Sequence, residues 1–225
     1  MLAIIVPYRA TTQPQRHHQL VAFIYYLMSR IPAASIYIIE QGNDKPFNRG
    51  ALLNIGVKVS DLSDNDIVCF HDVDLIPCND IVPEYLIPLS KQTVRHIGRA
   101  WKRYDSDSYL GGILMVHKCD FVAINGFPND FWGWGGEDDE LRDRINRQGY
   151  HIENKIHGTI IDQERMSLWE KLNLLNITKQ KCPDKWERRE WHRLNPNKKG
   201  FNEVTFAVQK TTEYHFNCFH HIVDF

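Results

Sequence analysis

The chain has 225 residues, of which 43% are hydrophobic and 24% charged, the balance of one folded α/β domain rather than of a disordered tail or a membrane bundle. A formal net charge of -1 argues against a polycationic nucleic-acid binder and against a uniformly basic membrane-surface protein. Five dispersed cysteines (Cys69, Cys78, Cys119, Cys182, Cys218) lack metal-type CxxC spacing, the usage of reduced thiols in a cytoplasmic protein.

Residues 2–6 are an apolar run that predicts a first strand, ended by Pro7. The run is too short to cross a bilayer and has no basic leader, so neither signal peptide nor anchor is expected and the cytoplasm is the expected location. Leu20, Ile24, Leu27 and Ile31 recur at helical spacing before Pro32, and residues 36–39 predict the second strand. Asn48 is placed to cap a helix carrying Leu52, Leu53 and Val57, and residues 67–70 predict a third, buried strand. This alternation implies right-handed crossovers and a largely parallel sheet. A further strand is predicted over 109–116, then a helix over 140–148 stopped by Gly149. Residues 181–200 contain seven Lys or Arg and read as a solvated face or a mobile lid. Two β-rich runs, 204–208 and 214–223, predict a closing hairpin. No repeat or linker divides the chain, so one domain over 1–225 is expected.

Two constellations carry chemistry. Asp72-Val73-Asp74 follows the third strand, and residues two apart in an extended segment share a face. Ligands of open α/β sheets gather at the carboxyl ends of strands, where two carboxylates suit a divalent cation that bridges a diphosphate. A turn with two solvated acids fits a bare DxD about as well. The second is Trp132-Gly133-Trp134-Gly135-Gly136-Glu137-Asp138-Asp139. Acids in a first helical turn are ordinary, but three together behind three glycines and two tryptophans are not. Indole faces stack on sugar rings, and sugar transfer needs a carboxylate base for an acceptor hydroxyl. Pro7-Tyr8-Arg9 and Phe47-Asn48-Arg49 each pair an aromatic with an arginine, a combination that stacks a base or contacts a phosphate.

Taken with residues 70–77, 109–112, 124–131 and 200–206, these blocks resemble the β-1,4-galactosyltransferase family (glycosyltransferase family 7) in matching order over nearly the whole catalytic domain. The resemblance implies a GT-A fold, α/β with a Rossmann-like and mostly parallel sheet and a C-terminal β-hairpin. It implies a UDP-galactose donor, Mn²⁺ (or Mg²⁺) and inversion at the anomeric carbon. Pro7, Tyr8, Arg9, Phe47 and Arg49 are then expected at the uridine end, with Asp72 and Val73 near the nucleotide and Asp74 on the metal. Asp138 is the expected base. Glu137, Asp139, Tyr109 and Gly112 are expected to shape the sugar sites, and Trp134 to ride on a loop closing over the donor. A tyrosine at position 109 is similar to the family's galactose users.

The sequence also departs from the family. Where a metal-binding histidine is expected, residues 157–164 offer Asp162 or His157. The second arginine after the Pro-aromatic-Arg motif is absent, with Thr11 near its place. Animal members carry an anchor and disulfides, whereas this chain resembles a bacterial or viral cytoplasmic form building a surface glycan. The expected partners are UDP-galactose and an oligosaccharide or lipid-linked glycan acceptor, with a peripheral membrane contact and no nucleic acid. UDP-N-acetylgalactosamine or UDP-glucose as donor, or a binding protein that has lost turnover, remain as alternative readings.

Overall fold

The computed structural model describes residues 1–10, 14–104, 106, 108–214 and 217–225. Strand β1 (Leu2–Tyr8) shows why a continuous apolar run folds as it does. Its alternate side chains enter two cores: Ala3 and Ile5 pack with Leu52, Leu53 and Ile55 on one face, and Ile4, Val6 and Tyr8 pack with Leu20, Phe23 and Leu27 on the other. A strand covered on both faces must be apolar throughout. The covering helices are α1 (Pro14–Arg30) and α2 (Arg49–Val59), lying on opposite faces of the sheet.

Eight strands form the main sheet, in the order β7-β5-β6-β3-β1-β2-β10-β9. β2 (Ala34–Gln41) and β3 (Ile67–His71) flank β1, both parallel to it. The chain thus reverses direction across β1, and the crevice at the carboxyl ends of β1 and β3 is the topological switch point where such sheets bind ligands. β10 (Cys218–Asp224) runs parallel to β2 and antiparallel to β9 (Ala207–Tyr214), forming the closing hairpin three residues later than its sequence start suggests. β6 (Ile113–His117) is antiparallel to β3, and the short β5 (Thr93–Arg95) and β7 (His151–Glu153) complete that edge. Four of the seven strand pairings are parallel.

Pro7 does not end β1, which pairs with β2 through Tyr8↔Glu40. β3 has already left β1 after Ile5↔Phe70, so the N–H that proline lacks costs no ladder bond on that side. The predicted strand over 109–116 begins only at Ile113, because Gly112 takes φ +77° and breaks the extended run. α3 (Lys118–Ala123) follows β6. Helix α4 (Glu137–Arg147) starts with the acidic block itself. A two-stranded sheet pairs β4 (Leu75–Pro77) with β8 (Ile160–Asp162). Helices α5 (Leu168–Ile177) and α6 (Lys185–Leu194) occupy the region that includes the basic stretch. All five cysteines are free, and among the described residues no helix is long and apolar enough to cross a membrane.

Candidate active site

The site is organised around Arg49. The Asn48 side chain accepts the Ala51 N–H at 3.0 Å and donates to the Asn129 carbonyl at 2.7 Å, which fixes where α2 begins. Arg49 is therefore the first helical residue. Its Nε donates to Asp72 Oδ1 at 2.7 Å, and its Nη1 lies 3.7 Å from Glu137 Oε1. One guanidinium thus joins the two acidic blocks that stand far apart in sequence. Burial works to lower the Arg49 pKa, but Asp72 and Glu137 outweigh it and the net shift is upward. Even so, Nη1 and Nη2 are buried without an acceptor, and Glu137 Oε2 is buried without a donor. Other buried polar atoms are open elsewhere, Arg103 Nε among them, but here three converge where a polar ligand can complete the bonding.

The acids of α4 divide into two roles. Gly136 precedes the helix with φ 106°, and a Cβ there would stand 2.4 Å from Phe131 Cε1, so only glycine lets the chain turn into the acidic block at this distance. Glu137 is pushed up to about 8 by burial and by neighbouring Asp138, with Arg49 opposing. Asp138 is raised too, by burial and by Asp139, against Arg49. Its Oδ1 accepts the Asp139 N–H at 2.9 Å, and its charge reaches the phenols of Tyr104 and Tyr109. Asp139 instead meets α6, with Lys185 Nζ at 3.0 Å and Arg189 Nη1 at 3.7 Å. A carboxylate whose proton affinity is raised beside a cleft is the group suited to accept a proton near neutral pH.

Asp72 and Asp74 follow β3, as expected, and Val73 between them is buried. The Asp72 N–H donates to the Gly112 carbonyl at 3.0 Å, tying this turn to the loop that carries Tyr109. Asp74 is pushed up to about 6 by burial, with Arg16 opposing and Glu164 and Asp72 adding to the rise. Arg16, on α1, lies between two carboxylates, 3.4 Å from Asp74 Oδ2 and 3.5 Å from Glu164 Oε1. The pairing of Leu75 with Asp162 brings Asp162 alongside. Asp162 is engaged by Trp101 Nε1 at 3.2 Å and by Arg103. Glu164 accepts from Arg103 at 2.9 Å and Lys171 at 2.6 Å; burial opposes its ionisation, but these cations win and its pKa falls.

Among the described residues no three His, Cys, Asp or Glu side chains converge as a ready-made metal cage. The donor chemistry nevertheless fits a hard divalent ion, since Asp74, Asp162 and Glu164 offer only carboxylate oxygens. A cationic group, Arg16, already bridges two of them. His157 does not join this group. It is exposed, and the ladder that sets Leu75 against Asp162 continues through the Cys78 N–H bond to the Thr159 carbonyl, carrying His157 to the far end.

The remaining predicted residues take these positions. Pro7 and Tyr8 close β1, and the Tyr8 hydroxyl is raised by burial and by Glu40. Arg9 donates to the carbonyls of Asn43 and Lys45 and lies over the Phe47 ring at 5.9 Å. Tyr109 stacks on Tyr104 at 4.4 Å and meets Trp101 edge-on at 6.1 Å. Its phenol is held far above the ordinary range by burial, then by Asp72 and Asp138. A Cβ on Gly112 would come 2.8 Å from Leu75 Cδ1, so glycine keeps this turn close to β4. Trp134 donates its N–H to the Gln180 carbonyl at 2.7 Å and leaves its ring partly exposed. Thr11 lies outside the described residues.

Sequence reasoning missed Arg16, Arg103, Glu164 and Lys171. The readable signal was the alternation Asp162-Gln163-Glu164, the same two-residue period as Asp72-Val73-Asp74. Nothing local marks Arg16 or Arg103, which reach the acids only through the fold.

Two family models match this chain: one described as the N-terminal region of glycosyl transferase group 7, over residues 1–85, and one described as the N-terminal domain of galactosyltransferase, over residues 93–166. The chain is 31% identical over 223 residues to β-1,4-galactosyltransferase 1 of Bos taurus, covering 95% of this chain and 52% of that protein. It is 37% identical over 160 residues to β-1,4-galactosyltransferase 3 of Homo sapiens, covering 67% and 38%. The chain thus spans about half the length, or less, of these curated relatives. Among solved structures it superposes on a mutant Drosophila β-1,4-galactosyltransferase 7, in complex with manganese, UDP-Gal and xylobiose, with TM-score 0.78, 25% identity and coverage of 99% and 92%. A mannosyltransferase of Pyrobaculum calidifontis, with TM-score 0.52, 12% identity and coverage of 87% and 70%, shares the fold alone. Motifs, architecture and relatives agree, and the chain belongs to the β-1,4-galactosyltransferase family, glycosyltransferase family 7.

Proposed function

We propose that this protein is a metal-dependent, inverting glycosyltransferase that moves galactose from UDP-galactose to a hydroxyl of an oligosaccharide or lipid-linked glycan, in the cytoplasm, during surface glycan synthesis. The observation that carries the reading is the Arg49 hub. It holds Asp72 against Glu137, leaves buried guanidinium donors open, and sits beside an Asp138 whose proton affinity is raised. The Drosophila relative's complex with manganese, UDP-Gal and xylobiose supports the donor, the ion and a sugar acceptor.

In this mechanism Asp138 accepts the acceptor hydroxyl proton while that oxygen attacks the anomeric carbon from the face opposite UDP. Burial and Asp138 raise the proton affinity of Glu137, which favours the protonated form that can donate a hydrogen bond to a sugar oxygen. Tyr8, Arg9 and Phe47 hold the uridine, and the open Arg49 Nη atoms meet the nucleotide-sugar's oxygens. Manganese held by Asp74, with Asp162 or Glu164 beside it, would neutralise charge developing on the leaving diphosphate. Arg16 then has to release Asp74. Trp134, on its glycine-flanked loop, excludes water that would otherwise hydrolyse the donor.

The test is UDP release from UDP-galactose with Mn²⁺ and a panel of acceptor sugars, with and without EDTA. The reading expects acceptor-dependent release that EDTA abolishes. Binding of UDP-galactose with no release for any acceptor would instead identify a sugar-nucleotide-binding protein.

A further inference from the structure

Helix α5 presents three of its six apolar residues to solvent. Of its ten residues only Leu175 is buried, while Trp169 is 72% exposed, Ile177 75% and Leu174 40%. At about 100° per residue, Trp169, Ile177 and Leu174 fall within an arc of roughly 140°, opposite Leu168, Leu172 and Leu175. An ordinary surface helix fills that outer arc with polar groups. Its polar members are Asn173 and Glu170, and Glu170 is spent on the capping box, accepting the Ser167 N–H at 2.8 Å and the Oγ–H at 2.7 Å. The helix is flanked by cations: Arg165 before it, and Lys179 and Lys181 after it, form no ion pair among the described residues. A second tryptophan, Trp186 at 69% exposed, opens α6 just beyond. The whole chain is nearly neutral, with net charge -1, so this concentration of free cations is local.

An exposed arc of Trp, Leu and Ile with unpaired Lys and Arg at both ends is the pattern of a helix lying in a lipid headgroup layer. We propose that α5 docks the protein on a bilayer containing anionic lipids. Trp169, Leu174 and Ile177 enter the headgroup–acyl boundary, and Arg165, Lys179 and Lys181 meet the lipid phosphates. Charge complementarity selects an anionic lipid surface over a second copy of the chain, which would bring the same cations face to face.

The position of α5 gives this docking a consequence. Its trailing segment is hydrogen-bonded to the Trp134 loop, through the Trp134 N–H to the Gln180 carbonyl at 2.7 Å and the Cys182 N–H to the Trp134 carbonyl at 3.1 Å. Its own Lys171 pairs with Glu164 at the Asp74 end. A protein seated on α5 holds the flank of its site close to the lipid surface. That lipid-borne acceptors exploit this rests on the proposed function; the docking itself does not.

The test incubates the full chain with vesicles of phosphatidylcholine alone or mixed with phosphatidylglycerol, followed by sedimentation and tryptophan emission. The inference expects binding to the anionic vesicles with a blue-shifted emission, weakened by high salt. The pair Trp169→Ser with Ile177→Ser, and separately the pair Lys179→Glu with Lys181→Glu, should each reduce that binding by roughly tenfold or more. Both pairs change surface side chains, Lys181 half-buried and Trp169, Ile177 and Lys179 exposed, and should leave circular dichroism, and UDP release with a soluble acceptor, unchanged. Wild-type protein that stays in the supernatant with anionic vesicles, or variants that bind like wild type, would overturn the inference. So would a wild-type dimer in sedimentation velocity that the Trp169/Ile177 pair dissociates, since the arc would then be a contact between copies. Failure of UDP release would leave the vesicle result standing, so the two readings fail separately.

Discussion

Replacing Arg49 by methionine removes the one group that neutralises both acidic blocks while keeping most of the side-chain volume. Asp72 loses a 2.7 Å charged hydrogen bond, and Glu137 and Asp138 lose their nearby cation. Breaking a fully buried pair by removing one partner typically costs about 3–5 kcal/mol. Asp72 is a quarter exposed, so water screens part of the loss, and about 2–3 kcal/mol is the working expectation. For a domain of this size that corresponds to a melting-temperature drop of roughly 4–12 °C. Urea unfolding and thermal melts at neutral pH measure it directly. Because the cost arises from stranded carboxylates, Arg49→Met combined with Asp72→Asn should recover about 1 kcal/mol or more relative to additivity. If Arg49→Met melts within a degree of wild type, or the double variant is simply additive, the guanidinium is not the hub described here.

Other consequences follow from the same geometry. Glu137 is pushed up to about 8 in the folded protein, so its contribution to stability is complete below the ordinary carboxylate range and is lost as pH rises toward 8; melts from pH 5 to 8 should fall more steeply for wild type than for Glu137→Gln. Gly136→Ala places a Cβ against Phe131 at φ 106° and should cost about 1–3 kcal/mol, seen as a lower urea midpoint. Arg16→Ala removes the cation lying between Asp74 and Glu164; Mn²⁺ binding followed by calorimetry without donor should tighten by about fivefold, the equivalent of ~1 kcal/mol of competing charge.

The parts of this molecule governed by local pattern were legible from the sequence. The central strands announce themselves as apolar runs because both their faces are covered, and Asn48 caps α2 as its residue type predicts. The acidic blocks were also readable, since strand ends and helix starts place carboxylates by rule. What escaped depends on residues meeting across the fold. The sheet formed by β4 and β8 has only three residues per strand, too few for a periodic signal, yet it decides that Asp162 rather than His157 stands beside Asp74. The basic stretch over 181–200 looked like a solvated face or a mobile lid. Within it, Lys185 and Arg189 are committed to Asp139 and Asp143, partners whose proximity no linear pattern reveals. In α5 Trp169, Leu174 and Ile177 face solvent while Leu175 is buried, so for half of its apolar residues the rule that reads the other helices points the wrong way.

Asp138 as the proton acceptor is the central assignment of the proposed mechanism. Asp138→Asn should bind UDP-galactose as wild type does by calorimetry while its UDP-release rate with acceptor falls by ~10²–10⁴-fold. Near-normal turnover in that variant, with the donor still bound, would contradict the assignment and move the base elsewhere in the cleft.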